Sequence, residues 1–285
     1  MIEKQSKTKL RHLQPWHYPF PPPQPPLLSC LFCTSPSSSA ALMPLRLKYS
    51  IAPNLTGGGP RPIGTKLANL SPFIRDVILQ FGYQEVGHLR AIKRTIPGFP
   101  RPLLNLSAES FATIMNNAFE RPLWPPFDPY ANDINFLLAS YAIPYVGLTG
   151  YVGTIPNLQS STARSLVAGL LGVEAVLRLL LYEHALEKVV PYEITVAEFT
   201  NRISNLRNKL GNAGVKDEGL IVNPLQGAEG IYKGNVLVGD QSSLSYGRTP
   251  EEILRIVYGT GKETTPGGFY PNGAAGRIAK SYLAV

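Results

Sequence analysis

Cysteine is nearly absent from this chain: its 285 residues contain two, Cys30 and Cys33, and none beyond position 33. The remainder is therefore held by packing and not by disulfides. A lone Cys-x-x-Cys, with no second pair and no strand–helix–strand context, makes neither a redox motif nor a zinc site; two unpaired thiols are expected. Charge is also sparse, at 16% of residues, and the apparent excess of +8 is local. Residues 1–66 hold eight Lys or Arg against the single acid Glu3, while the rest holds 19 basic and 18 acidic residues. The body is close to neutral and has no surplus of cations for a phosphate-reading face, so nucleic acid is not an expected partner. There is no Gly-x-Ser-x-Gly elbow. Gly57-Gly58-Gly59 runs into Pro60 with no strand before it, which suits a turn and not a dinucleotide loop.

What remains is 44% apolar, enough to bury a core. Proline and serine mark off the first stretch: residues 1–60 hold 11 of the 27 prolines, and Ser37-Ser38-Ser39 follows them. Proline fixes φ and donates no hydrogen bond, so residues 1–50 are expected to be a disordered basic extension. Its apolar piece, Leu27–Cys33, is short for a signal-peptide core.

Beyond it the pattern is helical. Ser71-Pro72 caps and opens a helix to about residue 94, with Ile74, Val77, Ile78, Phe81, Leu89 and Ile92 on one face. Further helices are expected at Ser107–Phe119 and from Asp133 to about Gly150, the latter broken at Pro144. The longest is expected over Ser160–Val189. Its centre, Leu166–Tyr182, is apolar but for Glu174 and Arg178, which argues for a buried helix and against a membrane span. Thr195-x-x-Glu198 reads as a capping box opening a helix that ends at Gly211. Residues 212–248 are Gly-rich, with room for a short hairpin near Val236. Thr249-Pro250 opens a last short helix. The expected fold class is all-α, a helical bundle over 51–211 with a loop-rich C-terminal third over 212–285.

Two polar residues stand on the apolar stripe of the first long helix: Glu85 and His88. A carboxylate and an imidazole facing a core need partners, because an unpaired buried charge costs several kcal/mol. Glu-x-x-His places both on one helix face. Carboxylate-bridged di-iron and di-manganese bundles use that unit twice, with a further Glu from each of two other helices. The long helix adds Glu174 and His184 on its stripe. His184 lies ten residues beyond Glu174, about 15 Å along the axis, too far to share an ion with it. Three candidates could converge, Glu85, His88 and Glu174, against the about six ligands of a di-metal site. The expectation is a buried polar cluster in which the two carboxylates meet His88, Arg90 or Arg178. The alternative is a metal site for iron or manganese.

Several long stretches resemble the plant desiccation-related proteins, a family assigned a ferritin-like domain. They include Phe81-Gly82-Tyr83-Gln84-Glu85-Val86-Gly87-His88, Pro125-Pro126-Phe127-Asp128-Pro129-Tyr130, Ile143-Pro144-Tyr145-Val146-Gly147 and Arg248-Thr249-Pro250-Glu251-Glu252. The resemblance implies a ferritin-like bundle, accumulation under drying, a secreted or cell-wall location and no established reaction or cofactor. It differs in two places. The family's signal peptide and first long helix correspond here to the Pro-rich extension, and about four residues are missing after Glu174. An incomplete bundle would leave apolar surface open to self-association. The expected function is a non-enzymatic stress protein, with a metal-binding oxidoreductase or metal store, or a cell-wall polysaccharide binder, as alternatives. If the chain is secreted, Asn54 and Asn105 are glycosylation acceptors in Asn-x-Ser/Thr sequons. Pro72 hinders the second sequon in the chain, at Asn69.

Overall fold

The computed structural model describes residues 53–172 and 176–283. The extension with Cys30 and Cys33, and the candidate ligand Glu174, lie outside the described residues.

Helix starts follow the side-chain caps. A one-turn helix, α1 (Pro53–Thr56), precedes α2 (Pro72–Thr95), where the Ser71 hydroxyl accepts from Ile74 N and Pro72 occupies the first position. The backbone N–H of Ser71 donates to the Asp133 carboxylate at 2.8 Å, tying the start of α2 to that later residue. Ser107 caps α3 (Ala108–Phe119) and Asn132 caps α4 (Asp133–Tyr141). The chain breaks at 142–143 and resumes as α5 (Pro144–Thr154), because Pro144 lacks the N–H that would continue α4. Ser160 caps α6 (Ser161–Leu171), and α7 (Val176–Glu183) follows.

The helix expected to reach Val189 stops at Glu183. Lys188–Val189 (β1) instead pairs antiparallel with Ile194–Thr195 (β2), and Pro191 sits between them where a helix could not continue. Thr195 caps α8 (Val196–Gly211), but only half of the expected box forms. The Glu198 carboxylate turns to Arg202 at 2.7 Å and not back to the cap. A complete capping box opens α9 (Pro250–Tyr258), from Thr249 and Glu252. A short α10 (Arg277–Leu283) ends the described chain. In place of a hairpin near Val236 there is a single bridge between Ile221 and Gly234.

The largest apolar core gathers α2, α3, α4, α7, α8 and α9. Phe199 of α8 is fully buried and sits 4.6 Å from Phe119, 5.8 Å from Tyr192 and 6.2 Å from Phe127, ring centre to ring centre. A second core joins α2, α5 and α6 through Ile92, Tyr151, Val167 and Leu170. Within the described chain, the stretch long and apolar enough to cross a membrane is Asp133–Asn157, and most of it is buried in the protein interior. Gly153 of α5 marks where the C-terminal third is laid down: a Cβ there would run into the Arg248 carbonyl, and Arg248 N donates to Thr149 O at 2.9 Å.

Candidate functional site

Glu85 and His88 sit on the same face of α2, as their spacing requires, with side chains 11% and 18% exposed. His88 Nδ1 lies 3.4 Å from Glu85 Oε2. That nitrogen is buried and makes no hydrogen bond, so the pair is adjacent without being satisfied. The other expected partners are elsewhere. Arg90 is exposed, and Arg178 of α7 faces the C-terminal loops. His184 lies just past the end of α7 with Nδ1 2.8 Å from the Glu187 carboxylate, and it does not join Glu85. Among the described residues no group of three or more His, Cys, Asp or Glu could hold a metal ion. Asp133 is spent on Ser71, and no other carboxylate lies on α4, α5 or α6. With Glu174 added, the set would still reach only half of the about six ligands that a di-metal centre takes. The donors among the described residues do not fit a di-metal centre.

The sequon residues differ in access. Asn54 is exposed on α1. Asn105 is half-buried, its backbone bridged to Ile63 and its side-chain oxygen accepting from Ser107 N, so its amide is poorly placed as an acceptor. Trp124 is 85% exposed.

The densest polar chemistry is a second cluster, between α4, α5, α7, α8 and the loops after Gly211. Arg178 uses all five guanidinium donors. Nε donates to Val236 O; Nη1 donates to the Tyr141 hydroxyl and to Glu218 O; Nη2 donates to Gly219 O and Asn235 O. Tyr141 in turn meets Ser204 Oγ at 2.8 Å. Arg207 Nε lies 2.5 Å from Asp217 Oδ2, both side chains almost wholly buried, and its guanidinium sits 4.4 Å over the Tyr141 ring and 5.3 Å over Tyr145. Burial, the largest single influence, would lower the pKa of Arg207, but the charge and hydrogen bond of Asp217 together with Tyr141 and Tyr145 outweigh it and the net shift is upward. Burial raises Glu218, against the bonds it accepts from Asn235 and Tyr246. Burial, reinforced by Asp217, pushes the Tyr145 phenol far above its usual range. Its hydroxyl is thus protonated, and it has no hydrogen-bond partner. Arg248 completes the cluster, 3.4 Å from Glu252, which also takes Lys216 at 2.8 Å.

Sequence reasoning noted Arg178 but assigned it to the wrong side, and it passed over Arg207. The signal for Arg207 was available: it stands four residues from Ile203 and four from Gly211, on the buried face of α8.

A model of the ferritin-like domain matches residues 47–185. The chain is 61% identical over 231 residues to the desiccation-related protein PCC13-62 of Craterostigma plantagineum, covering 80% of this chain and 74% of that one. It is 57% identical over 237 residues to the ferritin-like catalase Nec2 of Nesocodon mauritianus, covering 82% and 76%. No solved structure matches. On the strength of the domain match and of these long, close alignments, the chain belongs to the plant desiccation-related proteins with a ferritin-like domain.

Proposed function

We propose that the chain acts in the response to drying as a non-enzymatic stress protein, in which Glu85 and His88 serve packing. Its 61% identity to a desiccation-related protein supports the stress role. The observation that carries the molecular part is the donor set. Among the described residues, Glu85 and His88 face each other alone, where a redox-active di-metal bundle needs about six ligands from four helices. The test is metal content of the purified full chain after growth with added iron and manganese, beside the Glu85→Ala/His88→Ala double variant. Substoichiometric metal in both is the expected result. Near-stoichiometric iron or manganese that disappears in the variant would overturn it.

A second reading is favoured by the buried, unbonded His88 Nδ1 beside a buried carboxylate, and by the 57% identity to a protein named a ferritin-like catalase. In it, Glu85 and His88, with Glu174, hold a single iron or manganese as a metal store or an oxidoreductase site. The ion would supply the redox chemistry. Glu85 would bring the negative charge that binds it, and the neutral His88 a nitrogen ligand. Oxygen release from hydrogen peroxide by the metal-loaded wild type, and its absence in the double variant, would establish this reading over the first.

A further inference from the structure

Between α4, α5, α6, α7 and the 237–245 loop lies a cavity of about 210 Å³. Its walls are apolar side chains, among them Leu148, Leu171, Leu177 and Val238, with the tyrosines 141 and 145 and Arg178 at its inner end. Leu148 and Val238 are buried, and Leu237, Ser243 and Ser245 are exposed, so the cavity opens to solvent at the loop. Neither Glu85 nor His88 lines it.

The chemistry of the walls selects the ligand. A buried arginine at the end of a pocket ordinarily suggests an anion. Here all five of its donors are taken by Tyr141 and by four backbone carbonyls, so no N–H is left for one. The Tyr141 hydroxyl is likewise engaged, by Arg178, Ser204 and Glu218 O. An ionised ligand would lose its water and gain no partner. Tyr145 lines the wall with its ring, while its unpartnered hydroxyl is buried and presents no open surface, so the polar groups on offer are the exposed Ser243 and Ser245 hydroxyls at the mouth. The mouth is also held in shape. Asp240 accepts from the backbones of Ser242 and Leu244 through its side chain and from Ser243 through its carbonyl. A preformed site spares a ligand the ordering of a loop.

We propose that this cavity is a binding site for a small neutral molecule with an apolar, ring-sized body and one hydroxyl or carbonyl, the body inside and the polar group at the serines. An apolar cavity of about 150 Å³ takes a benzene ring, so 210 Å³ suits a ring with a short substituent, roughly ten non-hydrogen atoms. The site is independent of any metal at Glu85 and His88.

The test is calorimetric or ligand-observed NMR titration of the full chain with para-ethylphenol and with the para-ethylbenzoate anion. The phenol should bind with a Kd on the order of 0.1–1 mM, and the benzoate about tenfold or more weaker. Leu237→Trp at the exposed mouth should weaken phenol binding by about tenfold. Gly172→Phe should do the same; a Cβ at Gly172 meets only the ordinary contacts of its own helix, so the backbone tolerates a side chain. Leu225→Trp, also exposed but off the cavity, should leave binding unchanged. Thermal melts of each variant show which are folded and can be scored. No phenol binding by the wild type, equal binding of the two probes, or wild-type affinity in both folded mouth variants would overturn the proposal.

Discussion

A phenol buried without a partner for its hydroxyl costs about 1–3 kcal/mol, and Tyr145 is such a group. Its ring is used, under the Arg207 guanidinium, but its oxygen is not. Tyr145→Phe keeps the ring and removes the orphan, so it should raise the unfolding free energy by about 1 kcal/mol. Tyr141 is the control, since its hydroxyl joins Arg178, Ser204 and the Glu218 carbonyl. Tyr141→Phe strands those groups and should lower stability by about 1–3 kcal/mol. Urea midpoints of the two variants check both signs; a loss of stability in Tyr145→Phe would show that the hydroxyl is bonded after all.

Among the elements, helix starts were legible and some helix ends were not. Ser71, Ser107, Thr195 and Thr249 each accept from the backbone N–H three residues on, and that signal is local. The end of α7 at Glu183 depends on β1 meeting β2, and the position of Arg178 depends on carbonyls 40 to 58 residues away. No periodicity within a helix can announce either. The same division holds at the candidate site. Glu85 and His88 were placed together by their spacing, whereas Arg178 was assigned to their cluster by stripe alone and found other partners, and His184, placed on the stripe, pairs with Glu187. The Arg178 bonds join α7 to the 218–236 loops. Arg178→Met would leave the Gly219, Asn235 and Val236 carbonyls without their donor and Glu218 O with Tyr141 alone, and should cost about 3–5 kcal/mol. Amide exchange should rise first at Leu220 and Asn235, whose bonds share that loop. Unchanged exchange there would mean that the loop is held by other contacts.

At the scale of the whole molecule, the C-terminal third completes the interior of the helical part. Arg178 finds four of its acceptors there, Arg207 finds Asp217, and α9 packs Ile253, Leu254 and Val257 into the main core. A chain ending at Gly211 should therefore keep helix but lose fixed packing, visible as far-UV dichroism without a cooperative melt. A sharp melt would show that residues up to 211 fold alone. The same dependence sets an order on synthesis. Arg178 leaves the ribosome before the carbonyls that receive it, with Val236 58 residues behind. At about 5–20 residues per second, the nascent protein carries a guanidinium without its full set of carbonyl acceptors for roughly 3–12 s. During those seconds the half-made bundle is the form that chaperones and proteases meet.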